Sequence, residues 1–143
     1  MRTSAAVVTA LSLLASTATA RIVAIAAPKT VKAGSTVQVE IIGENYIQSI
    51  QDVAIAFGIE HGSGFPESLG QLITSKYLGP DESNVVGNIT ANIQIPASIP
   101  KGKATLTGIL FSLEGAAYEG ATEVFQLTTT VGKFTSTQYV RSQ

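Results

Sequence analysis

The sequence predicts an all-β protein, an antiparallel immunoglobulin-like β-sandwich of about seven strands that follows a cleaved signal peptide. Three observations lead to this prediction. After residue 20 the chain consists of short runs of β-branched and apolar residues separated by turn residues. It contains no long helical pattern and no internal repeat. Within the run from Asn45 to Ile59, residues 53–58 alternate bulky and small side chains, which is typical of a central strand packed on its main face.

The chain begins with a secretory leader. One positive charge precedes the apolar run Ala5 to Ala15, and small residues follow where a signal peptidase requires them. We therefore predict cleavage between Ala20 and Arg21, which divides the chain into a signal peptide, residues 1–20, and a single β-sandwich domain, residues 21–143. Since neither a second hydrophobic span nor a lipid-anchor signal follows, we expect a secreted, extracellular product without a membrane anchor.

Composition narrows the range of partners. The sequence has no cysteine, so it forms neither disulfides nor a cysteine-ligated zinc site. Lys and Arg number 9 and Asp and Glu number 10, and no basic stripe occurs in the sequence. Nucleic acid is therefore not an expected partner. A chain of this length buries an ordinary core as one domain, and we expect a monomer.

Two strands are well defined in the first half of the domain. Thr36 to Ile42 alternates strictly, with its valines and Ile41 directed inward and its polar residues outward. In the central run, Val53, Ile55 and Phe57 share the bulky face. The same alternation predicts that all three of these side chains lie in the core.

The stretch Gln71 to Leu78 leaves its secondary structure open. Ser68 and Gln71 have the spacing of a capping box, which favours a helix. The β-branched and aromatic residues around Ile73 and Tyr77 favour a strand, and a strand is our prediction. The glycine-rich segment before it is predicted to be a loop.

Three runs follow in the second half. Asn88 to Ile95 shows the clearest alternation in the chain, with apolar residues on one face and polar residues on the other. Ala104 to Leu113 is apolar on both faces, which predicts a central strand. Val124 to Val131 carries a threonine-rich outer face and is the last strand predicted.

No pattern of residues points to catalysis. His61 is the only histidine, and no spacing places Glu60 or Glu67 beside it on one face, so we expect an exposed loop histidine. Asp52 and Glu44 would form a carboxylate pair only if the fold joined them, and we expect Asp52 to be a solvated acid at the end of a strand. The sequence also lacks a nucleophile elbow and a phosphate loop. We predict no enzyme, no cofactor and no metal site.

Two surface sites are predicted. Asn88 begins the sequon Asn88-Ile89-Thr90 on the polar face of its strand, and it is a candidate for N-glycosylation. Tyr46, Ile47 and Gln48 precede the central strand and mix polar with apolar character, which makes them candidate partner-binding residues at one end of the sandwich. The alternative is that Tyr46 and Ile47 merely close that end. Phe65 belongs to the loop at the opposite end of the strand.

Several segments, in matching order over almost the whole mature chain, carry a resemblance to a known family. They are Ala20-Arg21-Ile22, Asn45-Tyr46-Ile47-Gln48, Gln51 to Gly58, Ser68-Leu69-Gly70, Tyr77-Leu78-Gly79-Pro80, Ile99 to Lys103 and Thr135-Ser136-Thr137. In these segments the chain resembles the necrosis-inducing secreted proteins of plant-associated fungi, a family of Nis-type core effectors.

The resemblance implies a function that the residues alone do not. Members of the family are effectors that suppress pattern-triggered immunity in the host plant by binding immune receptor-like kinases and inhibiting them, and some induce cell death. Host plant receptor-like kinases are thus the implied partners, with entry into the host cytoplasm after uptake as a second location. The family has no catalytic residues to transfer. The alternative function is a cell-wall-associated or carbohydrate-binding β-sandwich, although the chain lacks tryptophan.

Overall fold

The structure, a computed structural model, describes residues 19–143. The predicted signal peptide, apart from its last two residues, lies outside this range. The elements in chain order are β1 Ala20–Pro28, β2 Thr30–Lys32, β3 Thr36–Asn45, β4 Ile50–His61, β5 Gln71–Tyr77, α1 Gly79–Glu82, β6 Gly87–Gln94, β7 Gly102–Glu114, β8 Glu119–Gly132 and β9 Tyr139–Arg141.

The strands form two sheets that face each other. One has the order β6-β3-β1-β9 and the other the order β2-β8-β7-β4-β5. Neighbouring strands are antiparallel except for β2 and β8, which are parallel. The predicted antiparallel β-sandwich is confirmed. Residues 19–143 contain nine strands rather than about seven, because β2 and β9 have three residues each, too few for an alternation to show in the sequence.

The edges of the two sheets differ in length. On one side of the sandwich the outer strands β5 and β6 have seven and eight residues. On the other side the outer strands are the three-residue β2 and β9. The sandwich therefore has long open edges on one side only.

The chain passes from one sheet to the other at Pro28. β1 ends at this residue, which has no N–H to continue a ladder, and Lys29 leads into β2 of the opposite sheet. The hydroxyl of Thr129 donates to the Pro28 carbonyl at 2.9 Å, and the N–H of Thr130 donates to the Lys29 carbonyl at 2.9 Å. These bonds fix the crossing against β8.

The core lies between the sheets and is built from the predicted alternations. Ile41, Ile55 and Phe57 are completely buried. The predicted strand over Gln71 to Leu78 is confirmed as β5, which ends at Tyr77. Among residues 19–143 the single helix is α1, and no helix there is long and apolar enough to cross a membrane.

A β-bulge in β4 corrects two predictions. The strand pairs Asp52 with Ser112 and then Ala54 with Phe111, so Val53 has no partner on β7 and the side-chain phase changes there. Val53 is consequently half-buried rather than a core residue. Asp52 points inward and is buried, so the prediction of a solvated acid at a strand end is wrong.

The polar tail forms the last strand. After β8, the chain crosses back to the first sheet, where β9 pairs with β1. The hydroxyl of buried Ser142 accepts from the N–H of Ile25 at 3.0 Å, and the N–H of Ser142 donates to the carbonyl of Ile25 at 2.8 Å. The tail is thereby part of the sandwich.

Candidate functional site

Tyr46, Ile47 and Gln48 form the connection that carries the chain from β3 in one sheet to β4 in the other. Ile47 is 96% exposed, Gln48 is exposed and Tyr46 is half-buried. The structure thus places the three predicted residues together at one end of the sandwich. Ile47, whose side chain packs against almost nothing, does not close that end, whereas closure stays an alternative for the half-buried Tyr46.

Tyr46 is held from two sides. The guanidinium of Arg21 lies 5.3 Å from the centroid of its ring, a cation–π contact, and Arg21 also forms an ion pair with Glu123 on β8. The Tyr46 hydroxyl donates to Oε1 of Gln48 at 2.9 Å. On the backbone, the N–H of Tyr46 donates to the carbonyl of Thr19 at 2.9 Å. The loop that presents Ile47 is therefore fixed in position.

A second loop adjoins the first. Residues 115–118 join β7 to β8, and the N–H of Gly115 donates to the carbonyl of Ser49 at 3.0 Å. Tyr118 in this loop is 63% exposed and has a φ of 54°, which is uncommon for an aromatic residue. We call residues 46–49 and 115–118 together the tip. The sequence alone does not predict that these two loops adjoin, because their contact depends on how the strands pair in the fold.

The rim of the tip is acidic. Glu114 and Glu119 are direct partners across β7 and β8, and like charges in such positions destabilise a strand pair. Within residues 19–143 neither carboxylate takes part in an ion pair, whereas Glu44 pairs with Arg141 at 3.0 Å. The exposed apolar side chains of the tip are therefore bordered by two uncompensated negative charges.

Asp52 supports the tip from beneath. Its carboxylate accepts from the hydroxyl of Ser112 at 2.8 Å, and its N–H donates to the hydroxyl of Ser83 at 3.0 Å. Burial raises the pKa of the Asp52 carboxyl, and the Ser112 hydrogen bond, the N–H of Ile22 and the charge of Arg21 oppose that rise. A carboxylate pair with Glu44 does not form, since Glu44 is exposed and paired elsewhere.

Asn88 lies on β6, the edge strand of the four-stranded sheet. Its side chain is exposed, and its Nδ2 donates to Oε2 of Glu40 at 3.0 Å. A glycan attached there would extend into solvent. Glycosylation of Asn88 stays a prediction.

The proposed cleavage site lies within β1. Ala20 is 1% exposed and pairs with Asn45 on β3, and Arg21 follows it in the same ladder. Cleavage between the two residues stays a prediction. It would remove Ala20, the first residue of the strand, together with Thr19 before it.

Phe65 belongs to the loop at the other end of β4, as the sequence predicted. Its side chain is 69% exposed, but its loop is not free to project. Nε2 of Gln126 donates to the carbonyls of Phe65 and Ser68 at 3.1 and 3.3 Å, which holds the loop against the outer face of the five-stranded sheet.

His61 is exposed, as expected, but it is the last residue of β4 and pairs with Ala104 on β7, so it is not a loop residue. A ring nitrogen lies 3.3 Å from the carbonyl of Lys101. Across residues 19–143, no three His, Asp or Glu side chains come together as a metal site.

Comparison with known proteins identifies similar sequences. A family model described as the Nis1 family matches residues 18–130. A protein named "Necrosis-inducing secreted protein 1" from Colletotrichum higginsianum is 49% identical over 127 residues, which cover 88% of this chain and 88% of that protein. A protein of the same name from Colletotrichum orbiculare is 48% identical over 131 residues, which cover 91% of this chain and 81% of that protein.

One solved structure resembles the fold more distantly. It is the superoxide reductase (neelaredoxin) from Ignicoccus hospitalis, with a TM-score of 0.46 and 15% sequence identity over 80% of each chain. A likeness of this degree indicates nothing about the chemistry of this chain.

Proposed function

The chain belongs to the Nis1 family, and from this premise we propose that it is a fungal effector that suppresses plant pattern-triggered immunity by binding host immune receptor-like kinases and inhibiting them. Its relatives are named necrosis-inducing secreted proteins, and the protein is secreted. Induction of cell death in the host belongs to the same proposal.

The observation that supports a binding role is the exposure of Ile47 on a loop that is fixed in position. An aliphatic side chain that is 96% exposed contributes nothing to folding. Its loop is nevertheless held by Arg21 and by Gly115, so the binding conformation is already present before a partner arrives. Preorganisation of this kind lowers the entropic cost of association.

We further propose that inhibition takes place by occupation of a kinase surface and without catalysis by this protein. Asp52, whose pKa is raised, is 1% exposed and faces Ser112 beneath the tip. A substrate would have to displace part of the tip to reach it. The exposed residues of the tip are of the types that contribute to interfaces.

The test uses residues 21–143 and the purified kinase domain of a leucine-rich-repeat co-receptor. We expect measurable binding by calorimetry and a lower autophosphorylation rate. Ile47→Ser, Tyr46→Ala and Gln48→Ala are then compared with wild type, each after its melting curve has been checked. Truncating a hot-spot residue of an interface costs about 2 kcal/mol or more, so Ile47→Ser, at the proposed hot spot, should weaken binding at least about 30-fold.

Leu72→Ser is the matched control, because Leu72 is an aliphatic residue that is 62% exposed on β5, away from the tip. It should bind as wild type does. Absence of binding by wild-type protein would disprove the proposed function. Wild-type binding that all three tip variants retain would leave the function standing and place the surface elsewhere.

One observation favours the alternative of carbohydrate binding. On the outer face of the five-stranded sheet, Ala54 is the direct partner of both Tyr77 and Phe111, which are 71% and 41% exposed. Two aromatic side chains beside a small residue form a surface on which a sugar ring can stack. A polysaccharide-binding assay that compares wild type with Tyr77→Ala and Phe111→Ala tests this alternative. If both variants bind the polysaccharide as strongly as wild type does, carbohydrate binding at this surface is excluded.

A further inference from the structure

Lysines that are scattered along the sequence meet at the end of the sandwich opposite the tip. Lys103 on β7 and Lys32 on β2 pair with Thr130 and Gly132 of the strand between them, β8. Lys133 directly follows Gly132. Partners in neighbouring strands lie about 5 Å apart, so these lysines fall within two strand spacings of one another. The group, which we call the lysine end, consists of five exposed residues, Lys29, Lys32, Lys101, Lys103 and Lys133.

The positive charge of the lysine end is not compensated by ion pairs within the described chain. The three ion pairs among residues 19–143 are formed by Arg21, Lys76 and Arg141, none of which belongs to this end. The acids nearest to it are Glu60, on β4 opposite Thr105, and Glu67 in the loop that follows β4. The end therefore has an excess of positive charge.

An apolar side chain projects beside these charges. Phe134 directly follows Lys133 and is 63% exposed. The next residue holds it in place, since the hydroxyl of Thr135 accepts from the N–H of Lys32 at 3.1 Å. The fold thus presents a phenylalanine among several ammonium groups.

The identity of the basic residues indicates the kind of partner. All five are lysines, whose ammonium groups are point charges on flexible stems, and arginine, which suits planar two-point recognition, is absent from this end. Flexible point charges suit a diffuse layer of anions. Basic residues next to an exposed aromatic residue are the combination that binds the interface of an anionic bilayer.

We propose that the lysine end docks onto the surface of an anionic lipid bilayer. The five ammonium groups lie in the headgroup layer, and Phe134 enters the boundary between headgroups and acyl chains. The tip, at the other end of the sandwich, then faces away from the membrane and stays available to a protein partner. The proposal does not depend on kinase binding.

The test is co-sedimentation of residues 21–143 with vesicles of phosphatidylcholine alone or mixed with phosphatidylserine. We expect binding to the mixed vesicles only, and weaker binding as salt is raised. A lysine near an anionic membrane adds about 1 kcal/mol, or about fivefold in partition coefficient. The variant Lys32→Gln/Lys101→Gln/Lys133→Gln should therefore lose about 100-fold, and Phe134→Ser about tenfold.

Two controls match these changes. Lys76→Gln removes a lysine that lies on β5, outside the lysine end, and Phe65→Ser removes an exposed phenylalanine whose loop is held at Gln126. Both should bind vesicles nearly as wild type does. The side chains of Phe65, Phe134 and the lysine end are exposed, so unchanged melting curves are expected for their variants. Lys76→Gln also removes the ion pair with Glu82, so its melting curve is checked before it is used as a control.

Three results would overturn the proposal. One is that the wild-type protein does not bind the mixed vesicles. Another is a triple variant that still binds them as wild type does. The third is equal affinity for a soluble acidic polysaccharide, tested with polygalacturonate, which would identify a polyanion rather than a bilayer as the partner.

Discussion

The surroundings of Asp52 change the acid–base behaviour of its carboxyl group. The bulge at Val53 turns its carboxyl away from solvent and towards Ser112, where it is 1% exposed. Burial raises the pKa of this group above its ordinary value of 3.8. The folded state therefore holds a proton on Asp52 at pH values where the unfolded chain has released it.

We predict that Asp52 makes the protein less stable as pH rises through that window. Below pH 3.8 both the folded and the unfolded chain bind the proton, and Asp52 makes its full contribution to the free energy of unfolding. As pH rises above 3.8, this contribution falls, and the fall ends once pH has passed the raised pKa of the folded state. Asp52→Asn cannot release a proton. The difference in free energy of unfolding between wild type and Asp52→Asn, measured by urea melts at several pH values, should fall with rising pH.

Asp81→Asn, which removes an exposed carboxyl, is the matched control for that series. A difference between wild type and Asp52→Asn that stays flat or grows as pH rises would show that burial does not dominate at this site.

Phe57 is the largest of the fully buried side chains, and it is 0% exposed. Phe57→Ala should reduce the free energy of unfolding by about 3–5 kcal/mol, because a cavity remains in addition to the lost burial. Domains of this kind have about 5–15 kcal/mol in total. Denaturant melts measure the loss, and Phe65→Ala, at an exposed phenylalanine, should change stability by only about 0.5 kcal/mol. A loss below about 1 kcal/mol at Phe57 would contradict this expectation.

At the scale of elements, alternation predicted most strands, and it failed where backbone geometry interrupts the period. Thr36 to Ile42 alternates without interruption, and its inner residues are buried as predicted. In β4 the bulge at Val53 shifts the inward and outward alternation of the side chains, and no single residue in the sequence predicts that shift. The sequence predicted only one of the two loops of the tip. Tyr46 to Gln48 adjoin a strand that the alternation identifies, whereas residues 115–118 come next to them only because β7 pairs with β4.

At Gly58 the loop that precedes β5 lies very close to β4. A Cβ at this position would lie 2.6 Å from Cγ of Leu69 and nearer still to its carbonyl oxygen. Gly58→Ala should therefore cost about 1–3 kcal/mol in denaturant melts, since the loop must move. The control is Gly120→Ala, where the nearest atom, at 3.2 Å, belongs to the partly exposed ring of Phe111. Equal stability of the two variants would mean that the loop yields without cost.

The whole molecule has two ends of different character. The tip presents Ile47 and Tyr118 beside Glu114 and Glu119, and the other end presents Phe134 among lysines. β4 alone, with 12 residues, spans about 40 Å between them. A partner at one end therefore leaves the other accessible, which permits simultaneous attachment at both.

Processing of the chain affects the first of these ends. We predict that the secreted form begins at Arg21, and intact-mass measurement of culture filtrate tests this. Loss of Thr19 would free the N–H of Tyr46, while the contact with Arg21 would remain. A mass that still includes Leu11 to Leu14 would contradict the prediction, as would an N-terminus at Thr19.

The unequal edges of the sheets bear on how the protein behaves at high concentration. β5 and β6 are long enough to add a strand from another molecule, whereas β2 and β9 are too short. Asn88 lies on β6, so a glycan there would shield one of the two edges from such pairing, and Lys76 places a charge on the other. Protein made without glycosylation keeps the β6 edge bare, and slow aggregation during storage should begin at that strand.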